Sequence, residues 1–296
     1  MSTVAVLGVG AVGGMVAARV SSAGHRVICV AQPQTAATIR TAGIELETPD
    51  GTVRARPDVV ERLEEPVSLL VVAVKAYALA EALERVESFA VANGVVVPLL
   101  NGLEHPDVLR RRLGPRIAPA TISRFSAELV APGRVVQRSS AAPVVTVAPG
   151  DVTSSALVSA ATLLRDGGLE VVIDGDERTV LWDKAARLAV LAAATSSTGR
   201  SVGDLRDDSA WRARLSAALE ETCAAATADA VALRPADQWA IIDAMPHEAT
   251  TSTALDIGRG RPSELDAIAG SVLRAAHRLA VPTPVLAGLF EEAAAT

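Results

Sequence analysis

The feature that most constrains the fold is a glycine-rich turn near the amino terminus, placed between an apolar run and an alanine-rich stretch. This order predicts a strand, a tight turn and a helix, in which Gly8 permits the turn, Gly10 admits a pyrophosphate and Gly13 lets helix and strand pack closely. Because the amino end of such a helix presents unpaired N–H groups, the turn is a candidate dinucleotide site, although an ordinary glycine-rich turn has the same pattern. The residues assigned to the cofactor here are Gly8, Val9, Gly10, Ala11, Val12 and Gly13.

Length and composition limit the classes of protein to which the chain can belong. The 296 residues suffice for two domains, and half of them are hydrophobic. No apolar run reaches the roughly 18 residues of a membrane span, and the start lacks a basic signal region, so we expect a soluble, cytoplasmic protein. A net charge of −6 argues against nucleic acid or membrane partners. Cys29 and Cys223 lack the spacing of a disulfide framework or a metal site.

The first part of the chain alternates between strand-like and helix-like segments. Residues 26–31 predict a second strand, which completes a βαβ unit. The runs 67–74 and 95–100 are continuously apolar, as expected for parallel strands buried on both faces. Apolar and polar residues alternate over 44–55 around a Pro-Asp-Gly turn, which predicts a hairpin beside the main sheet. Together these segments predict a doubly wound sheet to about residue 175.

From about residue 177 onward, the pattern is almost entirely helical. The predicted helices cover residues 179–195, 209–232, 235–244, 247–257 and 264–280. The fold class is therefore α/β, with a Rossmann-type doubly wound sheet over residues 1–175 and an all-helical domain over residues 176–296. We expect the first domain to bind the dinucleotide, the second to carry substrate and catalytic groups, and the ligands to lie in a cleft between them.

Residues that follow the predicted strands indicate which dinucleotide is bound. The second strand ends at Gln32, where NAD sites commonly have an acid that bonds the ribose. Since a carboxylate would repel the 2′-phosphate of NADP, its absence favours NADP(H), with Arg40 as a distant candidate for the phosphate. Lys75 ends the strand of residues 67–74 and either reaches the cofactor or is a solvated lysine. Asn101 ends the next strand, either as a helix-starting residue or as an amide that holds ribose or substrate.

Taken together, these motifs resemble those of the ketopantoate reductases, also called 2-dehydropantoate 2-reductases. The resemblance covers nearly the whole chain and depends on the order and spacing of motifs that are weak individually. The amino-terminal signature is matched by residues 8–13, 74–76 and 100–102. The carboxyl-terminal signature is matched by residues 181–185, by Ser252 within residues 250–256, and by residues 262–266.

The resemblance implies hydride transfer from NADPH to the carbonyl carbon of a 2-oxo acid. By similarity, Lys184 is the general acid, and Glu264 orients the hydroxyl or the cofactor ribose. Ser252 binds the substrate, and Asn101 contacts both cofactor and substrate. The expected partner is a small carbonyl compound, and the protein is expected to be a monomer or a homodimer.

The assignment of Lys184 also makes chemical sense without the resemblance. At helical spacing, Lys184 shares a face with Leu181, Leu188 and Ala192. Desolvation on such an apolar stripe lowers the pKa of an ammonium toward the range where it donates a proton efficiently. A lysine whose stem covers the stripe while its head reaches water is the alternative.

Glu264 stands at the start of the last long predicted helix. Ser263 with Asp266 three residues later predicts a capping box that specifies where this helix begins. A carboxylate fixed at a helix end is a rigid partner for a lysine or a hydroxyl. Compensation of the helix dipole is an equally ordinary reason for an acid in the first turn.

The chain departs from the family at the substrate-binding positions. Typical members carry asparagines four and eight residues after the catalytic lysine, where this chain has Leu188 and Ala192. An asparagine expected before the serine motif is Ala249, and the arginine usual after the second strand is Gln32. Burying a neutral polar group without partners costs roughly 2–7 kcal/mol. A pocket lined by leucine and alanine therefore predicts a bulkier or more apolar carbonyl or imine substrate than ketopantoate.

Two alternatives stay open. One is an authentic ketopantoate reductase of pantothenate synthesis, with Thr195 or Ser196 in place of the lost asparagines. The other is a non-catalytic dinucleotide-binding sensor. The presence of both Lys184 and Glu264 argues against the sensor. No pair of histidines has metal-ligand spacing, and the serine- and threonine-rich segments lack a neighbouring base. We therefore expect neither a metal site nor a nucleophilic serine.

Overall fold

The computed structural model describes residues 2–296, which form two compact units. The sheet unit comprises the residues up to Leu100 together with His105–Val180. The helical unit comprises Asn101–Glu104 and Leu181–Thr296. All strands of the described residues lie in the sheet unit. The predicted fold class, a Rossmann-type sheet followed by a helical region, is therefore confirmed.

Three sheets make up the sheet unit. Their strands are β1 (Thr3–Leu7), β2 (Arg26–Val30), β3 (Ile44–Thr48), β4 (Gly51–Ala55), β5 (Asp58–Val60), β6 (Leu69–Val72), β7 (Val95–Pro98), β8 (Ala120–Ser123), β9 (Ala127–Ala131), β10 (Arg134–Gln137), β11 (Val144–Val147) and β12 (Glu170–Ile173). The strand orders are β5-β2-β1-β6-β7, β4-β3-β10-β9 and β12-β11-β8. Every neighbouring pair in the five-stranded sheet is parallel, so the carboxyl ends of β1, β6 and β7 lie along one edge.

The five-stranded sheet is buried on both faces. Side chains alternate along β1, so that Val4 and Val6 pack in one hydrophobic core while Ala5 and Leu7 pack in the other. A parallel sheet covered on both faces needs apolar residues at every position, which explains why its strands are continuous apolar runs. The predicted strands over 67–74 and 95–100 are present as the shorter β6 and β7.

The predicted hairpin over residues 44–55 is confirmed as β3 and β4. Thr48 pairs with Gly51, so the turn consists of Pro49 and Asp50. The hairpin is part of a larger sheet than expected, because β10 pairs with β3 and extends it to four strands.

Twelve α-helices are present among the described residues. They are α1 (Ala11–Ser22), α2 (Pro33–Ala42), α3 (Leu79–Leu83), α4 (His105–Leu113), α5 (Ser154–Asp166), α6 (Glu177–Thr198), α7 (Val202–Asp207), α8 (Ser209–Ala228), α9 (Pro235–Asp243), α10 (Ser252–Gly258), α11 (Ser271–Arg278) and α12 (Pro284–Ala294). None of the helices within residues 2–296 combines the length and apolar character that a bilayer crossing requires.

The helical unit has a core of its own around the indole of Trp182. This side chain is almost completely buried, and its Nε1 donates a hydrogen bond to Asp229 Oδ2 at 2.7 Å. Alanines such as Ala189 on α6 and Ala218 on α8 have no exposed surface and belong to the same core. Small side chains let neighbouring helices approach closely, which explains the alanine content of this part of the chain.

The predicted helix over residues 247–257 is partly wrong. Helix α10 begins only at Ser252, and the residues before it are not helical. The cause is Thr251, whose hydroxyl accepts a hydrogen bond from the backbone N–H of Ala254 at 3.2 Å and so caps the helix.

The predicted helix over residues 264–280 is present, but its first part is not α-helical. Asp266–Gly270 form a π-helix that leads into α11. The expected capping box is wrong, because the Ser263 hydroxyl accepts from the N–H of Leu265 at 3.5 Å and the Asp266 carboxylate binds Arg274 instead. This irregular turn follows Glu264 directly.

Candidate active site

The glycine loop connects β1 to α1 in the sheet unit, and its shape depends on two glycines. Gly8 has a φ of +90°, and a Cβ on it would lie 2.4 Å from Cγ1 of Val74. A Cβ on Gly13 would lie 1.9 Å from the carbonyl oxygen of Gly8. Since real atoms do not approach so closely, only glycine permits this turn at both positions.

Gly10 has a different role in the same loop. It caps α1 in an extended conformation, and no other protein atom would lie within 4 Å of a Cβ at this position. The space over Gly10 is open, the amino end of α1 carries no acidic residue, and its first N–H groups lack helical partners. Gly8 and Gly13 thus give the loop its shape, while the surface at Gly10 fits the diphosphate of a dinucleotide.

Three further residues were predicted to contact the nucleotide. Gln32 is exposed at the amino end of α2, where its side chain makes no capping bond. Lys75 is half-buried three residues beyond the end of β6. Arg40 is held on α2, since its Nε donates to the carbonyl of Val59 at 3.2 Å and its Nη2 lies 3.7 Å from Glu61. The bonds of Arg40 make it a poor candidate for binding a phosphate.

The helical unit brings Lys184 of the carboxyl-terminal signature together with Asn101 of the amino-terminal signature. Lys184 lies on α6, and its Nζ donates a hydrogen bond to Oδ1 of Asn101 at 2.8 Å. Asn101 follows β7 in the chain, yet it belongs to the helical unit together with the three residues after it. The amide therefore orients the amine across a separation of 83 residues.

The surroundings of Lys184 make its ammonium more acidic. Burial lowers the pKa of its ammonium to about 8, and the positive charge of Arg187 acts in the same direction. Glu264 opposes this shift because its negative charge favours the ammonium, and its own side chain is nearly fully buried. An ammonium with a pKa near 8 is mostly charged at neutral pH and donates its proton readily.

Arg187 was not identified from the sequence. It lies one helical turn after Lys184, and its side chain is only 12% exposed. Its Nη1 donates to Oε1 of the buried Gln238 at 3.0 Å, and Gln238 in turn donates to Oδ1 of Asp183 at 3.2 Å. These bonds hold a cation beside the amine, and no short motif could have revealed them because they depend on the packing of α9 against α6.

Comparison with known proteins decides the family. Residues 4–150 match the family model described as "Ketopantoate reductase PanE/ApbA", and residues 176–295 match the model of its C-terminal region. The chain belongs to the ketopantoate reductase family. Its members are oxidoreductases that act on a CH–OH or C=O group.

Individual members of the ketopantoate reductase family resemble the chain along nearly its whole length. A 2-dehydropantoate 2-reductase of Mycobacterium tuberculosis is 30% identical, and the match covers 95% of this chain and 93% of the relative. The structure of a ketopantoate reductase from Ralstonia eutropha JMP134 is similar with a TM-score of 0.87 and 27% identity, covering 99% and 97% of the two chains. D-mandelate dehydrogenase, solved with NADH and anilino(oxo)acetate, has a TM-score of 0.88 at 20% identity, covering the same shares.

The positions where this chain departs from typical ketopantoate reductases have different exposures. Leu188 is half-buried, whereas Ala192 has no exposed surface. Ser252 is exposed as the first residue of α10, and the carbonyl of Ala249 accepts from the N–H of Val202 at 2.7 Å. Leu188, Ser252 and the half-buried Asn101 are thus the predicted substrate residues that keep accessible surface.

Two hydroxyl groups were considered as replacements for the family's asparagines. The Thr195 hydroxyl donates to the carbonyl of Leu191 at 2.7 Å and lies 2.9 Å from the Thr251 hydroxyl. The Ser196 hydroxyl is buried and has no hydrogen-bond partner within residues 2–296. Of the two, Ser196 is the one whose bonding capacity is not already used.

A compositional signal for this family site was missed at the sequence level. Lysine and arginine together number 28, and only Lys75 and Lys184 are lysines, which leaves 26 arginines. A chain that uses arginine almost everywhere has kept lysine at the two positions that the family motifs single out. Arginine cannot release a proton near neutral pH, so chemistry that needs a transferable proton requires lysine.

Proposed function

We propose that the chain is an NADPH-dependent reductase that converts a 2-oxo acid or a related carbonyl compound into the corresponding hydroxy compound. The observation that carries this proposal is the Lys184 ammonium, which donates to Asn101 at 2.8 Å and whose pKa burial lowers to about 8. A desolvated ammonium fixed by an amide is the arrangement that general acid catalysis requires.

The residues of the glycine loop would hold the dinucleotide, with its diphosphate over Gly10 and the amino end of α1. When bound, the reduced nicotinamide supplies the hydride. Lys75 and Gln32 would contact the adenosine ribose and the phosphate of the dinucleotide. The absence of a carboxylate at Gln32 supports NADPH, because a 2′-phosphate meets no repulsion there.

Lys184 supplies the proton of the reaction. As negative charge develops on the carbonyl oxygen of the substrate, the Nζ of Lys184 stabilises the oxyanion and then protonates it. Asn101 keeps the amine pointing in one direction, since the 2.8 Å bond restricts its rotation. Glu264 favours the charged form of Lys184 before transfer and offers a carboxylate to the product hydroxyl.

An apolar side chain on the substrate is the expectation that follows from the half-buried Leu188, since Ala192 has no exposed surface that a ligand could contact. A hydroxyl facing leucine would lose its hydrogen bonds with water and gain none in return. Bulky aliphatic and aromatic 2-oxo acids avoid this cost. The likeness to D-mandelate dehydrogenase, solved with anilino(oxo)acetate, supports including aromatic 2-oxo acids among the candidates.

The authentic ketopantoate reductase of pantothenate synthesis is the second candidate. The 30% identity to the Mycobacterium tuberculosis 2-dehydropantoate 2-reductase favours it, and the uncommitted Ser196 hydroxyl offers one polar group to such a substrate. If the protein is the authentic ketopantoate reductase, ketopantoate should have the highest kcat/KM. If the apolar pocket selects the substrate, bulkier compounds should have a higher kcat/KM than ketopantoate.

The test is oxidation of NADPH, with NADH in parallel, by the purified protein against ketopantoate and a series of aliphatic and aromatic 2-oxo acids. We expect NADPH to be preferred and kcat/KM for the best apolar substrate to exceed that for ketopantoate by about tenfold, equivalent to ~1.4 kcal/mol. Ketopantoate as the best substrate would support the second candidate. Absence of dinucleotide oxidation with every carbonyl compound would overturn both.

A further inference from the structure

Residues Asn101–Glu104 are attached closely to the carboxyl-terminal part of the helical unit. Gly102 has a φ of +90°, and a Cβ on it would lie 2.0 Å from the carbonyl oxygen of Ala267 in the π-helix. The backbone N–H of Leu103 donates to the hydroxyl of the fully buried Ser271 at 3.3 Å. The backbone that carries Asn101 therefore packs directly on the turn that follows Glu264.

Arg274 on α11 adds a side-chain clamp to this attachment. Its Nε and Nη2 donate to the two carboxylate oxygens of Glu104, both at 2.9 Å. Its Nη1 donates to Oδ1 of Asp266 at 2.8 Å, and Nη2 also reaches the Asp266 carbonyl at 3.2 Å. All three nitrogens of the guanidinium are used, and they hold two separate segments at once.

The two clamped segments are the ones that carry the partners of Lys184. Glu104 lies three residues after Asn101, and Asp266 lies two residues after Glu264. We propose that Arg274 is a positioning residue that fixes Asn101 and Glu264 around the Lys184 amine by binding Glu104 and Asp266. The inference rests on the proposed function in taking Lys184 as the proton donor of the reaction.

The geometry favours a positioning role over a role in stability. The side chains of Arg274 and Glu104 are 42% and 41% exposed, and ion pairs so accessible to water stabilise a fold little. A bidentate guanidinium nevertheless fixes direction, which the single ammonium of a lysine cannot do. The π-helix supports this view, because such turns are rare and frequently occur at functional sites.

The experiment uses the fact that the chain has only two lysines. Protein labelled with 13C at the lysine ε-carbon gives one signal from Lys75 and one from Lys184, and Lys184→Ala assigns them. The variants are Arg274→Gln, which removes the clamp, and Arg274→Lys, which keeps the charge without the bidentate guanidinium and adds a third lysine signal that the wild type lacks. Arg214→Gln is the matched control, because Arg214 binds Glu292 in the same bidentate manner at 3.0 and 2.6 Å.

We expect both Arg274 variants to shift the Lys184 signal and to lower kcat by roughly tenfold or more, since small errors in orientation are costly in catalysis. Arg214→Gln should leave the Lys184 signal and kcat unchanged, and both Arg214→Gln and Arg274→Gln should lower Tm by no more than about two degrees.

The positioning role is overturned if Arg274→Gln, like the control, leaves both the Lys184 signal and kcat at their wild-type values. Should Arg274→Gln fail to fold, Glu104→Gln removes half of the clamp, and the same shift of the Lys184 signal is expected from it. A shifted Lys184 signal in the Arg274 variants, combined with full activity of Lys184→Ala, would support the clamp and refute the proposed function instead.

Discussion

The glycine loop of the sheet unit and the Lys184 group of the helical unit are built on different principles. The loop is a backbone structure contained in residues 8–13, and Gly8 and Gly13 fix its shape by having no side chains. The Lys184 group is a set of side chains from three distant parts of the chain, with Lys184 and Asn101 separated by 83 positions. One is specified locally, and the other exists only after folding.

Because of this difference, the glycine loop and the Lys184 group should respond differently to substitution. Substitution in the loop alters the space available to a ligand or the path of the backbone, but leaves no charge unpaired. Substitution in the Lys184 group removes a proton donor or leaves a buried polar partner unsatisfied, which costs about 1–3 kcal/mol per group. The loop should thus control cofactor binding and the helical unit should control the chemical step.

The largest effect is expected for Lys184→Ala, which separates the chemical step from cofactor binding. Removing a general acid lowers kcat by about 10²–10⁴-fold. Dissociation constants for NADPH, measured by calorimetry, should stay within a few-fold of the wild type because the loop is untouched. Retention of more than a third of the wild-type kcat would contradict the role assigned to Lys184.

Gly10→Ala tests the role of the glycine loop in cofactor binding. No other protein atom would lie within 4 Å of the new Cβ, so Tm should not change, while the Kd for NADPH should rise by about tenfold, equivalent to ~1.4 kcal/mol. Gly258→Ala, equally free of neighbours near its Cβ, is the control and should leave the Kd for NADPH unchanged. An unchanged Kd for Gly10→Ala would show that the dinucleotide does not bind over this residue.

Leu188→Asn should restore polarity to the half-buried position one turn after Lys184. Because a new amide can bond a substrate hydroxyl, we expect the ratio of kcat/KM for ketopantoate to that for an apolar 2-oxo acid to rise by roughly fivefold to tenfold. Arg206→Gln, a substitution elsewhere in the helical unit, should leave that ratio unaltered. A ratio that does not move in Leu188→Asn would remove this position from the substrate pocket.

The smallest effect concerns pH. In the proposed reaction, reduction requires the ammonium form of Lys184, whose pKa burial and Arg187 lower to about 8, so kcat/KM should fall as the pH rises above that value. Arg187→Gln removes one lowering cause, so the descending limb of the kcat/KM profile should move to higher pH. A limb that moves to lower pH, or stays in place, would show that Arg187 does not influence the amine.

The sequence was sufficient for the parts of the fold that are specified locally. The glycine loop, the apolar strands β6 and β7 and the β3-β4 hairpin follow from residue patterns that span no more than a dozen positions. Strands β5 and β9 were missed. β5 contains only three residues, and β9 contains the exposed Leu129 and Val130, so neither shows the apolar signal of a buried strand.

Side-chain networks were beyond what the sequence could show. The Asp266 carboxylate had two possible partners, a nearby helix-starting N–H and the distant Arg274, and only packing decides between them. The same holds for the bond between Arg187 and Gln238, which depends on how α6 and α9 meet. The motif residues Lys184, Asn101 and Glu264 could be named in advance, but not the residues that hold them.

The central claim, that a desolvated Lys184 is the proton donor of the helical unit, is tested most directly by titrating its ε-carbon signal in lysine-labelled protein. With Lys75 as the only other lysine, the two titrations are measured in the same sample. We expect a midpoint near pH 8 for the Lys184 ammonium. A midpoint near 10.5, the ordinary value for an exposed lysine, would contradict it.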